Sequence, residues 1–498
     1  MEQKNIQKKS DRRKKLIVGS AVAAGILAGA YFGMAIYFCF HFFPGTKING
    51  MDCSMKTAEG FQHELEKSVE DYTLTVTAPG ALVQPGVCGE NEGNTGTAEG
   101  GQCGEKAGYS RVISGREIDL ELASEDQAQS ILEMQDVLAW PSAFFRETEK
   151  EAVFSVAYNE LKLEQRIREL DLIPSGSTEA VSAHPVFDGG AFVIQPEVYG
   201  VLSDKAEKKI RQCIADLTPE LDLMEEQCLK IPDFSSDSPE VEKACEAMNQ
   251  YCKARIVYTM GQEVTVDAEL ISGWLTCDGD MNVSLNEEAV GEWVNSLAEQ
   301  SDTLGTARSI TSPSGKNAEV SGGTYGWVID TAAETAALTE NIKKAESVSR
   351  EPVYRQRAAS RSAQDWGVTY VEVDLTAQHM WYVKDGSVQL ESDVVTGEPV
   401  TGMETPQGVY SILYTQRDAV LVGETDPKTG EPIYRTKVRY WMPFTRQGHG
   451  FHDADWQSAF GGNVYTYSGS HGCVNMPVDK AGELYSMLET GTPVVIHY

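Results

Sequence analysis

Basic residues are scarce in this 498-residue chain, where 42 Lys and Arg stand against 74 Asp and Glu, a net charge of −32 with histidine neutral. Seven of the basic residues (Lys4, Lys8, Lys9, Arg12, Arg13, Lys14 and Lys15) fall within the first fifteen positions beside only Glu2 and Asp11. The remainder therefore carries 35 against 72, a net of −37. A surface so acidic repels phosphate backbones, which argues against a nucleic-acid partner. Solubility outside the cell is the plainer meaning of the acidity. An Asp-rich loop with calcium-ligand spacing is absent. Cysteine is sparse as well. Ten in 498 cannot staple a small scaffold, so the core must come from apolar burial. No Cys-x-x-Cys pair offers a zinc or redox site. Cys53, Cys88, Cys103, Cys213, Cys228, Cys245, Cys252 and Cys277 permit disulfides in an exported chain without fixing their pairing. Cys88 and Cys103, which bracket a Gly-rich stretch, are the favoured pair. Residues 44–350 lack any catalytic constellation.

Charge is also missing from Leu16 to Phe43, apart from His41 when protonated. That run exceeds the roughly 20 residues that cross a bilayer. Its basic N-terminal flank predicts a cytoplasmic N-terminus and an exported remainder. A cleaved signal peptide is the rival reading. The apolar run is long for one, and no small-x-small site follows at Phe43-Pro44. The expectation is a cytoplasmic tail over 1–15 and a single-pass helix over 16–43, at the cell membrane.

Beyond the helix the patterning alternates. Thr46–Met51 reads as a strand and turn, Thr57–Val69 as an amphipathic helix, and Gly80–Gly108 as a Gly-, Glu- and Thr-rich insertion. Helices are predicted over Ser124–Leu138, Asp204–Leu217, Val241–Tyr251 and Asn286–Glu299, with strands at Arg255–Thr259 and Glu263–Val266. Elements of this length and order indicate α+β modules. An internal echo supports two copies, over 44–230 and 231–345. Tyr199-Gly200-x-x-x-Asp204 and Tyr325-Gly326-x-x-x-Asp330 each open a helix, with Asp as the predicted N-cap. Residues 346–365, with many Arg, Ser and Gln and with Pro352, read as a linker. From there to the C-terminus strands dominate: a hairpin from Thr369 to Val383, a strand-rich pattern running to Tyr467, a helix over Val478–Leu488 and a last strand over Thr492–Tyr498. This final region, 366–498, is predicted to be a β-rich, sandwich-like domain. The whole is multidomain, with a transmembrane helix, α+β repeat modules and this C-terminal domain.

The chemistry concentrates between Gly448 and Pro477, which holds three of the eight histidines. Cys473 lies in Ser470-His471-Gly472-Cys473-Val474-Asn475, and His452 stands 21 residues upstream. A free thiol of pKa ~8.5 is mostly protonated at neutral pH, and the thiolate is the nucleophile. An imidazole in reach can take the proton while a third group orients the ring. His452 is the candidate base, and Asp453 can orient it through its carboxylate or its backbone carbonyl. Gly472 lets the chain turn tightly, so the amides of Gly472 and Cys473 can face an oxyanion. Gly450–His452 reads as a strand end, and Gly461–Tyr467 as a turn and strand that brings the two side chains together. The plainer alternative is a disulfide cysteine beside a coincidental histidine. His449, between two glycines in a predicted mobile turn, is the poorer base.

These residues resemble the signature of L,D-transpeptidase (YkuD-type) catalytic domains. The resemblance extends over 366–498. It includes Tyr370–Leu375 with Gln378–Trp381, Val395-Thr396-Gly397, Thr405–Tyr410 and Tyr440–Phe444. It implies Cys473 as nucleophile, His452 as base and Asp453 as the orienting residue. Ser470, His471, Gly472 and Asn475 would then shape the pocket and oxyanion site. The preceding region resembles a peptidoglycan-binding domain, at Lys47–Met51 and at Val264–Leu275, although a rigid spacer accounts for it equally well.

The implied reaction is acyl transfer. Cys473 attacks the amide before the terminal D-alanine of a peptidoglycan tetrapeptide stem, and the amine of a second stem then attacks the thioester, giving a 3→3 cross-link. Acid/base cycling at His452 needs no metal or cofactor. Tyr440, Trp441, Trp456 and Phe460 are candidate pocket walls, with a core role the alternative for each. Three rival readings remain. One is a zinc site from His449, His452, His471 and Cys473. The others are a cell-wall-binding protein without catalysis, and a hydrolase giving L,D-carboxypeptidase activity.

Overall fold

The structure, a computed structural model, describes residues 2–80, 108–170, 173, 176–423, 425 and 427–498. Cys88, Cys103 and most of the Gly-rich insertion lie outside the described residues. The eight described cysteines are all free. Helix α1 (Glu2–Tyr37) contains, from Ser10 to Tyr37, a run long and apolar enough to cross a bilayer, a test that signal sequences also pass. The chain divides into two compact units, one of residues 1–184 with 194–242 and one of 185–193 with 243–498.

In the first unit α2 (Ala58–Glu70) starts where Thr57 Oγ1 accepts the Gly60 amide at 3.1 Å. Its 3.6-residue periodicity buries Phe61, Leu65 and Val69. Strand β1 (Thr73–Ala78) pairs antiparallel with β2 (Tyr109–Ser114) and parallel with β3 (Glu220–Asp222). The helix predicted over Ser124–Leu138 is broken into α3 (Gln127–Glu133) and α4 (Trp140–Ala143), with a 3-10 turn at Val137–Ala139 between them. The break has a local cause. Asp136 turns its carboxylate onto the Leu138 amide (3.2 Å), and the Gln135 side chain bonds outside the helix. Helix α5 (Ser203–Ala215) buries Ala206, Ile210 and Ile214 beside Leu74 and Val76 of β1. Each such aliphatic side chain contributes about 1.5–3 kcal/mol. Asp204 falls inside its first turn, and the cap position belongs to Leu202 without a side-chain bond.

The second unit opens with strands β4 (Arg255–Thr259) and β5 (Glu263–Val266), paired antiparallel. Helix α6 (Glu287–Ser301) is capped by Asn286, and α7 (Thr331–Lys343) by Asp330, whose carboxylate accepts the Ala333 amide at 3.1 Å. Between them lies the hairpin β6 (Arg308–Thr311) and β7 (Asn317–Val320). Strand β8 (Ser347–Arg350) pairs parallel with β4, so the start of the expected linker is a sheet strand. Its end is fixed too. Buried Asp365 takes Arg308 Nη1 at 2.7 Å and 2.9 Å, and Ile310, Val320 and Tyr325 pack with Trp366, Trp381 and Val409.

The C-terminal region is β-rich, as expected. One sheet has the order β11 (Ser387–Asp393), β10 (His379–Lys384), β9 (Tyr370–Asp374), β17 (Pro493–His497), β12 (Gly408–Ser411). The other has the order β13 (Gln416–Val422), β14 (Arg435–Pro443), β15 (Gly450–Asp453), β16 (Val474–Met476). Alternate residues of both sheets, among them Val373, Met380, Met442, Phe451 and Ile496, share a core with Ala481 and Leu484 of α8 (Val478–Met487). The strand expected at 463–467 is instead a short helical turn, Tyr465–Ser468. Gly461 and Gly462 both take positive φ (+78° and +59°), which curls the chain before a strand can start.

Candidate active site

His452 and Cys473 are brought together by strand register. Strand β15 pairs parallel with β16, with Phe451 opposite Val474 and His452 opposite Asn475. The loop that carries Cys473 therefore enters the sheet directly after it. His452 and Cys473 both line a cavity of about 220 Å³. Both are buried, at 4% and 8% exposed.

The loop is held by a chain of hydrogen bonds. Ser470 Oγ donates to the Cys473 carbonyl at 2.5 Å and accepts the Gly472 amide at 3.1 Å. Thr405 Oγ1 donates to the Gly472 carbonyl at 3.0 Å and accepts the Gly397 amide at 2.9 Å. Gly472 sits at φ +106°, and a Cβ there would lie 2.6 Å from His449 Cδ2. Its amide, expected to face an oxyanion, is taken by Ser470. Asn475 exchanges backbone bonds with Val395 (2.9 and 3.0 Å), while its Oδ1, buried at the cavity wall, has no partner.

His452 Nδ1 lies 3.0 Å from the Asp453 carbonyl, which assigns the ring proton to Nδ1 and leaves Nε2 as the basic nitrogen. Of the two ways Asp453 can orient the ring, the carbonyl is the one in place. Its carboxylate instead accepts the amides of Arg439 (2.7 Å) and Tyr440 (2.9 Å), pinning β14 to β15. The Trp441 and Trp456 rings stand 5.9 Å from the imidazole.

Burial acts on both the thiol and the imidazole, and in opposite senses. It pushes the Cys473 thiol up to about 11, a bond with the Gly450 backbone opposing it, and it lowers the His452 imidazole below its ordinary value. Each favours the neutral form. The thiol hydrogen bond runs to the Gly448 carbonyl at 3.4 Å. At a pKa near 11 only about one thiol in 10⁴ is ionised at pH 7. The resting pair is thus a neutral thiol and a neutral imidazole.

The other candidates divide. Ser470, His471 and Trp456 line the cavity, and Trp441 packs behind the thiol with Ala419 and Val438. Tyr440 does not line it. Successive strand residues face opposite ways, and its ring lies against Tyr485, with Arg417 above it. Phe460 is half-buried away from the cavity wall. Leu421, Tyr434 and Thr436, which sequence reasoning missed, complete the wall, with Tyr434 4.9 Å from the His471 ring. They fall in the strand-rich pattern that runs to Tyr467, yet nothing in that pattern says which residues meet a cavity. His449 is not mobile. Its amide and Nδ1 both engage Thr445 Oγ1, at 3.0 and 2.9 Å. Among the described residues no group of three or more His, Cys, Asp and Glu is placed to hold a metal ion.

Comparison with known proteins gives three findings. Residues 368–496 match the family model described as "L,D-transpeptidase catalytic domain" (YkuD), and 234–350 match one described as "Putative peptidoglycan binding domain". A search of curated proteins returned no match. Among solved structures, the chain is similar to an Enterococcus faecium L,D-transpeptidase crystallised as a Cys-to-Ser mutant. The two are 35% identical, over 50% of this chain and 98% of that one, with a TM-score of 0.44. It is similar to the catalytic domain of the E. faecium enzyme at 48% identity, over 26% of this chain and 95% of that one, TM-score 0.23. An L,D-transpeptidase from Mycobacterium smegmatis is 24% identical, over 26% and 59%, TM-score 0.23.

Proposed function

The chain belongs to the L,D-transpeptidase family, and on that premise we propose that it is a membrane-anchored enzyme forming 3→3 peptidoglycan cross-links through a thioester on Cys473. The observation that carries the reading is the cavity lined both by buried Cys473 and by His452, an imidazole whose Nδ1 is already committed to Asp453.

The steps follow from that geometry. A tetrapeptide stem enters with the amide before its terminal D-alanine at the sulfur. His452 Nε2 takes the thiol proton as the S–C bond forms, because the buried thiol does not ionise beforehand. The oxyanion is held by the Cys473 amide, since the Gly472 amide is spent on Ser470. The imidazolium then protonates the leaving nitrogen, the C–N bond breaks and D-alanine departs. A second stem's amine attacks the thioester and gives its proton to His452, and the thiolate leaves and is reprotonated. Asn475 Oδ1 waits as an acceptor for a substrate N–H, which would relieve its buried, unpartnered state. His471, Tyr434 and Trp456 form the walls that receive the stem. No metal or cofactor enters the scheme. The catalytic domain spans 366–498, the anchor lies within 16–37 because Phe38 and Phe42 are buried in the first unit, and modules over 44–230 and 231–345 hold glycan or space the site from the membrane.

Product analysis tests this reading. Wild-type protein and Cys473→Ala are incubated with a defined disaccharide-tetrapeptide, and the products are weighed by mass spectrometry. Cross-linked dimer from the wild type alone supports the assignment. Disaccharide-tripeptide without dimer would reassign the protein as an L,D-carboxypeptidase, and equal products from both proteins would remove Cys473 from the chemistry.

A further inference from the structure

We propose that residues 134–145, in the first unit beside α1, form a second, monotopic contact with the outer leaflet of the bilayer. The proposal rests on the reading of α1 as a membrane anchor. It goes beyond that reading by assigning a lipid-facing role to part of the exported domain.

Residues 137–145 read Val-Leu-Ala-Trp-Pro-Ser-Ala-Phe-Phe, nine positions without a charge in a strongly acidic chain. Several of their apolar side chains, with that of Met134, are turned outward. Phe145 is 87% exposed, Met134 79%, Leu138 52% and Phe144 51%. In water that exposure costs free energy, and contiguous exposed apolar side chains of this kind mark an interaction surface.

The position of the patch says what covers it. Gln135, itself buried, donates to the carbonyls of Phe38 (3.1 Å) and His41 (3.0 Å) and accepts the Phe43 amide (3.0 Å), so it fastens the chain leaving α1. One turn further on, Trp140 Nε1 donates to the Tyr31 carbonyl at 3.1 Å, and Tyr31 donates to the Leu138 carbonyl at 2.6 Å. The Trp140 ring meets Tyr31, Phe38 and Phe144 with centroids 5.8–6.2 Å apart. The patch is therefore fixed to a defined height on α1.

Helix rise sets that height. With Lys15 at the inner edge of the hydrocarbon, a ~30 Å core ends about 20 residues later, near Ala35. Tyr31 then sits roughly 6 Å below the outer edge. Leu138 and Trp140, bonded to Tyr31, are drawn to the same depth, within the roughly 5–10 Å at which interfacial segments bury an apolar face. Trp and Tyr with polar groups engaged and rings in the apolar boundary are the side chains that favour this zone. A second protein covering the patch would have to occupy lipid at that depth. The bilayer is the occupant the geometry favours.

The test is photo-crosslinking of the full wild-type chain in phosphatidylcholine vesicles doped with a diazirine phosphatidylcholine, with adducts mapped by peptide mass spectrometry. Lipid adducts are expected on 16–37 and on 134–145, and none on the exposed Val153 or Leu161 (93% and 77% exposed). In Met134→Ser/Phe145→Ser, which alters only outward side chains, adducts on 134–145 should fall about tenfold while those on α1 persist. Adducts on α1 but not on 134–145 would overturn the inference and leave the anchor intact. Equal labelling of 134–145, Val153 and Leu161 would also overturn it, as non-specific contact. An absence of adducts on α1 would overturn the anchor and this inference together.

Discussion

Neutralising burial at Cys473 and His452 gives the residue scale its sharpest consequence. A thiol pushed up to about 11 stays protonated across the neutral range, so its alkylation by iodoacetamide in the free protein should rise about tenfold per pH unit from 7 to 10. A plateau near neutrality would show a preformed thiolate–imidazolium pair instead. The histidine sets the opposite limb. Its lowered value keeps it neutral, hence basic, below pH 6.5, so acylation should be lost with acid only below that point. His452→Ala should slow acylation by about 10²–10⁴, read in single turnovers. Gly472→Ala should be nearly inactive while folded, since its Cβ would press on the His449 ring. Joining it to His449→Gly should restore part of the rate. Cys473 and His452 were legible as a pair through the family motif that surrounds them, since spacing alone left a disulfide cysteine and a coincidental histidine as the plainer reading. Their protonation was not, because depth of burial depends on Ala419 and Val438 as well as Trp441, and the motif contains only the last of these.

Among the elements, Asp453 separates two jobs that one residue performs. Its carbonyl holds the imidazole, and its carboxylate locks β14 to β15. Asp453→Asn keeps an acceptor oxygen for the Arg439 and Tyr440 amides, so acylation should stay within about tenfold of wild type, and the midpoint of thermal unfolding should move little. Asp453→Ala leaves those amides unpaired and should cost about 1–3 kcal/mol, measured by denaturant unfolding. A catalytic loss in Asn as deep as in Ala would assign the orienting role to the carboxylate charge. Several helix starts were readable from local signals, such as those at Thr57 and Asn286 and the Asp330 cap, although the matching cap expected at Asp204 belongs to Leu202. Two elements were not. Ser124–Leu138 keeps helical periodicity through the point where Gln135 turns away to bond the chain leaving α1, and Gly461-Gly462 defeats a strand-like pattern over 463–467. In each case a contact or a backbone angle outvotes the pattern.

At the scale of the molecule, the end of the peptidoglycan-binding match and the strands of the C-terminal domain share one cluster in the second unit, in which Ile310, Val320 and Tyr325 pack with Trp366, Trp381 and Val409. The fastening is specific. Arg308 and Asp365, at 4% and 1% side-chain exposure, are paired beneath Trp366. Removing one partner strands a buried charge, so Asp365→Ala should destabilise this unit by about 3–5 kcal/mol. Chemical denaturation followed by tryptophan fluorescence reads that loss, and an unchanged midpoint would show the pair to be immaterial. The central claim, that Cys473 carries the acyl group, is tested most directly by intact-protein mass spectrometry after rapid mixing with disaccharide-tetrapeptide, followed by peptide mapping. A disaccharide-tripeptide adduct is expected on Cys473, present in the wild type, slow to form in His452→Ala and absent from Cys473→Ala. An adduct on any other residue, or none during turnover, would contradict it.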